Sequence, residues 1–492
     1  MKFKRIISLL LIVLILFSFA GCDHTDKAYI YFQLSEKPTT LDPQVASTDT
    51  ELLIIRNVFE GLLRKDNNGK IVCGVAESYK KSGLTYTFKL RKDAKWHNEE
   101  PITAHDFVFA LMRALNPETK SPFASRLFCI ESAEEINNGQ KSVESLGVTA
   151  TDKYTLKINL AYEDEKFEET LTTAIAMPCN EDFFYESGGK YGMFRENILS
   201  NGSYKLSKWG KEIFGIRLYK NDLYNGPFSA KNAAVFISYS DELSTSEVLL
   251  EGDADMAFIA STEIDTLKAA EFEINSYDNI CWFLTLSDGL SGGIRKSLSI
   301  LANGEVFKNS LTTGYSVANS IFPPVLNSGV TSSGMSVYDL EAAKQLYSGE
   351  IVNLTDKKFP SDVILYYYDD GFSKNVVTDI VGHWQNNLGA FVNIEAVSSP
   401  SLLTSQLTEQ TYGMSVFPIS ASSPEINEYL QKFGITYNGQ NLTKLQIEVL
   451  KSNNIIPIMF QSTSLAYEKN LNNINFQHGN GCIDFAFIVK ES

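Results

Sequence analysis

Thr40-Leu41-Asp42-Pro43, Phe59-Glu60-Gly61-Leu62, Gly74-Val75-Ala76-Glu77-Ser78-Tyr79, Tyr86-Thr87-Phe88-Lys89-Leu90-Arg91 and Pro101-Ile102-Thr103-Ala104-His105-Asp106-Phe107 follow one another between residues 40 and 107. Local physics explains much of this stretch. Thr48 and Glu51 form a capping box ahead of Leu52, Leu53, Ile55, Val58 and Phe59, which predicts a helix of roughly three turns closing near Gly61. Leu84, Tyr86, Phe88 and Leu90 alternate with polar residues, the pattern of a half-buried strand. Thr103 and Asp106 make a second box, opening a helix that runs through Leu115 and stops at Asn116-Pro117. Trp96 between them, and Tyr204 further on, are expected in the core.

Outward from there the same alternation of strand and helix continues. Tyr154 to Leu160, Phe214 to Leu218, Val235 to Tyr239, Val363 to Tyr367 and Phe391 to Val397 read as strands. Leu243–Leu250, Asp339–Tyr347 and a face traced by Val376, Val377, Ile380, Val381, Trp384 and Leu388, ended by Gly389, read as helices. Interleaved strands and helices predict an α/β fold. Residues 278–336, rich in Ser, Gly and Asn, read as a loop-rich section.

With 492 residues the chain is about three times the ~150 of a single domain. Hydrophobic residues make up 44% and charged residues 21%, which excludes a disordered or fibrous chain. A formal charge of −16 opposes binding to phosphate backbones, so no nucleic-acid partner is expected. Six Cys, widely spaced and without C-x-x-C, do not make a disulfide scaffold; apart from Cys22 they read as small buried hydrophobes.

The first residues give an address. Lys2, Lys4 and Arg5 precede an apolar run from Ile6 to Ala20, then Gly21-Cys22 and a polar stretch. The run is shorter than the ~20 residues of a membrane span and has the layout of a secretion signal. Cys22 after Ala20-Gly21 resembles a bacterial lipobox, with Phe19 where Leu is usual. That resemblance implies cleavage after residue 21, a diacylglycerol on Cys22, a tether over residues 22–26, and an anchored protein on the extracytoplasmic face of the cell membrane.

The motifs of residues 40–107, with Asn201-Gly202-Ser203-Tyr204-Lys205-Leu206, Trp209 and Glu251-Gly252-Asp253-Ala254-Asp255, resemble in order and spacing the extracytoplasmic solute-binding proteins of the oligopeptide, dipeptide and nickel uptake family. The match is specific over residues 38–256 and looser beyond. The resemblance implies two lobes with a ligand cleft between them and a subdomain inserted in the first lobe, a periplasmic-binding-protein-like fold. It places the first lobe at residues 27–60, 171–277 and 471–492, the insertion at 61–170 and the second lobe at 278–470. It implies a monomeric receptor without cofactor that captures an oligopeptide or peptide-like solute and passes it to the permease and ATPase subunits of an ABC importer. A receptor for a chelate or sugar-like solute, or a sensor or adhesin on the same fold, is the alternative.

In that family an Asp of the second lobe pairs with the ligand's amino group. The corresponding segment here, residues 412–424, aligns Phe417 with the family's Trp and Ser420 with the Asp, or Ser422 on a shifted alignment, and holds no acidic residue; Glu425 is the first. Three outcomes stay open: blocked or modified peptides, another anchor such as Glu425 or Asp369, or a non-peptide ligand. The resemblance also points to Phe123 for stacking and Arg126 for a ligand carboxylate. Phe258, Ala260 and Ser261 would give an apolar cleft wall, and Tyr366 and Tyr368 would be exposed rings beside Asp369. Gly289-Leu290-Ser291-Gly292-Gly293 fits G-x-S-x-G but falls in the loop-rich section, so no enzyme is expected. The five His show no metal-ligand spacing, so no metal is expected.

Overall fold

The fold is that of a computed structural model, which describes residues 28–34, 36–209, 215–239, 243–354, 356–398, 413–421, 426–437, 439–476 and 483–491. Cys22, Phe214, Ser422, Glu425, His24, His478 and Cys482 lie outside the described residues.

One sheet of eleven strands runs through the molecule. At one end Tyr29–Leu34 lies parallel to Ala234–Tyr239 and Met256–Ile259, with Ile216–Lys220 and Tyr204–Lys208 continuing the edge. At the other end Ile364–Tyr368 lies parallel to both Asn393–Val397 and Gly413–Ser420. Two antiparallel strands of 13 residues, Glu273–Thr285 and Ile455–Tyr467, join the ends. The second of these pairs with Met256–Ile259 at one end and with Tyr315–Val317 further along. The pair slips register between Asp278 and Ile280 and again between Trp282 and Phe283, as β-bulges do where a strand bends. Asn279 sits in the first slip, and its carboxamide oxygen accepts from the Thr463 backbone N–H at 3.2 Å and hydroxyl at 2.8 Å.

Separate cores form on the two sides of that pair. The larger gathers Ile30, Phe32, Leu53, Val58, Phe88, Trp96, Phe107 and Tyr204, with Phe485 and Ile488 returning from the C-terminal region. A four-stranded antiparallel sheet, Ala76–Ser82, Thr85–Leu90, Thr155–Asn159 and Val148–Asp152, packs into it. Across the molecule, one cluster is built on Trp282, Leu298, Val377 and Trp384, and another on Phe283, Phe322, Tyr429 and Leu430.

The local expectations from cap and periodicity hold well. Thr48–Glu51 and Thr103–Asp106 are capping boxes for helices Asp49–Val58 and Ala104–Leu115. Asp339 caps Leu340–Ile351, and Gly389 ends Ser373–Leu388 at φ 68°, the left-handed value a C-terminal glycine accepts without strain. Residues 278–336 are more ordered than their composition suggests: they hold part of a central strand, the helix Gly292–Ile300 and the strand Tyr315–Val317. The Gly292–Ile300 helix explains the G-x-S-x-G stretch, because the Ser291 hydroxyl accepts from Ile294 N at 3.3 Å as its N-cap. Among the described residues no helix is long and apolar enough to cross a membrane.

A candidate ligand cleft between two cores

A cleft of about 470 Å³ opens between the larger core and the Phe283 core. That size is ordinary for a small-molecule site. One wall is the short helix Ala124–Leu127 and the residues near it. Ala124 and Leu127, three apart, are both buried, and Arg126 between them faces the cleft. The opposite wall is the helix Ile426–Gln431, held down by buried Tyr429 and Leu430. The Tyr429 hydroxyl donates to Ile321 O at 2.7 Å, leaving Ile426, Asn427 and Glu428 on the cleft side. Tyr162 and Tyr437 line opposite walls.

Arg126 and Glu428 meet across this space. The Arg126 Nη2 donates to Glu428 Oε2 at 2.7 Å and its Nε donates to Oε1. The guanidinium lies 4.4 Å over the Phe123 ring, and both charged side chains are largely covered, 15% and 20% exposed. A forked, charge-assisted pair of this kind fixes distance and orientation together. The two residues are 302 apart in sequence and belong to elements packed on different cores, so the pair ties those cores together.

A second cross-cleft set lies beside it. Lys432 Nζ donates to Ser420 O at 2.7 Å and feels the charges of Asp49 and Glu428. Asp49, first residue of the helix Asp49–Val58, feels Lys432 and Glu36. Asp49 and Lys432 are both exposed, so the neighbouring protein desolvates them only in part. That partial desolvation outweighs the attraction between them. It pushes the Asp49 carboxyl up to about 6 and the Lys432 ammonium down from its usual value.

Several expected positions fall elsewhere. Arg126 does meet a carboxylate, but one supplied by the protein's own Glu428. Tyr366 is not exposed: at 2% it is buried with Val397 and against Phe417, since its strand is covered on both faces. Tyr368 is half-buried, 6.2 Å from Trp282. The apolar run after Asp255 is no cleft wall. Ala257 and Ile259 fill a small core with Leu249 and Leu267, while Phe258 turns to Phe32 and Phe476. Ser261 is buried and donates to Ser462 O at 3.2 Å; Ala260 is exposed at the start of a short helix. Phe417 packs 6.4 Å from Phe283. Ser420 reaches the cleft region through its carbonyl, which Lys432 occupies. Asp369 is exposed, but its carboxylate accepts from Gly371 N at 3.0 Å within a turn.

The motifs themselves are scaffold. Glu60, buried, accepts from Arg64 at 3.0 Å and Arg91 at 3.1 Å; Asn201 exchanges two backbone bonds with it, both 2.9 Å. Gly202 is there because the chain presses on the helix end: a Cβ would lie 2.6 Å from the Val58 carbonyl carbon. Asp42 holds Arg113, and Asp255 accepts from Tyr31 N at 2.8 Å and Lys490 at 2.7 Å. Cys73, Cys129, Cys179 and Cys281 are free thiols, and burial pushes Cys179 up to about 12, which makes it inert. Among the described residues no group of His, Cys, Asp or Glu could hold a metal ion. Glu428, Lys432, Asp49, Tyr162 and Tyr437 were invisible to motif reading, because each belongs to the cleft only through the packing of two distant segments.

Comparison with known proteins agrees with this architecture. Residues 70–441 match the family described as bacterial extracellular solute-binding proteins, family 5. The oligopeptide-binding protein OppA of Bacillus subtilis is 26% identical over 76% of this chain and 71% of its own length. YgiS of Escherichia coli, a probable deoxycholate-binding periplasmic protein, is 35% identical over 47% of this chain and 44% of its own length. The structure of Listeria monocytogenes OppA bound to peptide superposes with a TM-score of 0.75 at 21% identity, covering 95% of this chain and all of that one.

Proposed function

The chain belongs to the bacterial extracellular solute-binding proteins of family 5, and from that premise we propose that it is a lipid-anchored extracytoplasmic receptor that captures oligopeptides or peptide-like solutes and delivers them to an ABC permease. The observation that carries the reading is the cleft of about 470 Å³ whose walls come from two separate cores and are bridged by Arg126 and Glu428. Relatives named as oligopeptide-binding proteins support the ligand class. In this reading the first lobe comprises residues 27–60, 171–277 and 471–492, with 61–170 inserted, and residues 278–470 form the second. The lobes move about the paired strands Glu273–Thr285 and Ile455–Tyr467, whose register slips supply the bend. Ligand favours closure because it touches both walls only when they are close. Lipid on Cys22 holds the receptor at the membrane, and ATP hydrolysis belongs to partner subunits.

A second reading has a specific observation behind it. The described part of the segment that carries the ligand-amine anchor elsewhere, Gly413–Ala421, holds no acid, and the Ser420 carbonyl already has an ammonium, that of Lys432. A solute without a free amine suits that arrangement, and a relative named as a probable deoxycholate-binding protein supports this second reading.

Native mass spectrometry of the protein made without residues 1–21 tests the assignment. The expected result is a set of peptides released on denaturation; a single non-peptide solute would select the second reading, and no solute under any growth condition would contradict both. Cys22→Ala in the full chain is expected to move the protein from the membrane fraction to the medium or periplasm; unchanged membrane association would refute the lipid anchor.

A further inference from the structure

Next to the cleft lies a pocket of about 40 Å³, lined among others by Leu52, Arg56, Phe123, Arg126, Thr173 and Met177. Arg126 and Thr173 line both spaces, so the pocket is a side chamber of the cleft. Arg56 reaches it from the last turn of the helix Asp49–Val58. Its Nε and Nη2 are buried and have no hydrogen-bond partner among the described residues. Those two atoms form one edge of the guanidinium, the edge that takes both oxygens of a carboxylate. Acceptors close by are already engaged: Gln44 Nε2 donates to Ile175 O at 3.3 Å and to Met177 O at 3.0 Å. The Ala174 and Thr173 carbonyls accept from Met177 N at 3.0 Å and Ala176 N at 3.2 Å. A buried cation edge without an acceptor is costly, and native proteins seldom leave one so. The neighbouring arginine shows the complementary case, since Arg126 presents the same Nε and Nη2 edge and has it filled by Glu428. A position in the last helical turn favours a positive charge through the helix dipole, but that does not satisfy the two donors.

We infer that this side chamber is a carboxylate subsite, anchored by Arg56, for the solute held in the cleft. The inference rests on the solute-receptor reading and adds the chemistry of one end of the ligand. A volume of about 40 Å³ is roughly that of three water-sized groups, enough for a carboxylate entering from the cleft. The carboxylate comes from a peptide C-terminus or from an acidic side chain, and the test separates the two.

Three synthetic pentapeptide pools serve as probes in calorimetry: free acids lacking Asp and Glu, the same sequences as C-terminal amides, and amides containing Asp or Glu. The wild type is expected to bind at least one carboxylate pool about thirtyfold more tightly than the neutral amides. Preference for the first pool assigns the C-terminus, and preference for the third the side chain. Arg56→Gln should erase the preference while leaving neutral-amide binding in place, and Arg56→Lys, which keeps charge but not the fork, should recover part of it. Equal binding of all three pools by the wild type would overturn the subsite. Failure of every pool would refute the peptide reading instead, and crystals of the wild type grown in sodium formate then decide the subsite alone. Formate on Arg56 Nε and Nη2 supports it; water or another protein group there overturns it.

Discussion

The two sides of the paired central strands are built on different chemistry. On the side of the larger core, charge is buried and cross-linked: Glu60 with Arg64 and Arg91, Arg64 with Asp484, and Asp42 with Arg113. The far side, residues 280–460, has ion pairs that are mostly exposed, such as Lys308–Glu305 and Lys451–Glu448. Its buried polar hub is neutral. Gln446, fully buried, accepts from Ser320 and Ile321 and donates to the Thr331 and Ser333 carbonyls, with all four bonds between 2.6 and 3.0 Å. Buried charge has demanding partners and leaves a sequence signature; neutral hubs and apolar packing tolerate many sequences. The charged side is therefore the more fixed frame, and the neutral side tolerates more change of sequence.

Removing each hub should expose that contrast. Glu60→Ala removes the carboxylate shared by two largely covered arginines, leaving Arg64 only Asp484 and Arg91 only Asp93 as acidic partners, and is expected to cost about 3–5 kcal/mol in urea denaturation. Gln446→Leu strands neutral groups only and should cost about 1–3 kcal/mol. Equal losses would remove the distinction between the two sides. Between them, Arg126→Ala cuts the cross-cleft tie. It should weaken solute binding about tenfold with little change in the unfolding midpoint, and a double-mutant cycle with Glu428→Ala should show that the two effects do not add. Additive effects would mean that the pair does not form in the bound state.

The smallest effect is on pH. Asp49 has its carboxyl raised to about 6, against 3.8 for a free side chain, chiefly by desolvation and in spite of Lys432; if the facing wall supplies that desolvation, closing the cleft adds a proton that the open arrangement lacks. Closure is then penalised above pH 6 and relieved as pH falls from 6 toward 4. Solvent access around Asp49 reduces the full shift, and solute affinity should rise about threefold between pH 7.5 and pH 5. Asp49→Asn should flatten that rise, whereas an unchanged slope would assign it to another group.

The same contrast explains what could be read from the sequence. Capping boxes at Thr48 and Thr103, the alternation through Tyr86, Phe88 and Leu90, and the motif residues Glu60, Asn201 and Gly202 act over short range or through strict contacts, so they were legible. The cleft was not. Arg126 was singled out, but its partner Glu428 is 302 residues away and carries no motif. Tyr366 misled because alternation signals exposure only where a strand has one solvent face, and this strand is covered on both. The run Ala257–Ile259 misled in the same way, since apolar residues line a core as readily as a cleft.

Capture by closure brings the two walls together, and small-angle X-ray scattering reports that change in solution. Protein lacking residues 1–21 would be unfolded, freed of solute, refolded and measured before and after its co-purified solute is returned. The radius of gyration is expected to fall when solute is added, and Arg126→Ala is expected to make the solute-free protein more expanded than the wild type. Identical scattering with and without solute, in a protein shown by calorimetry to bind it, would rule out capture by closure.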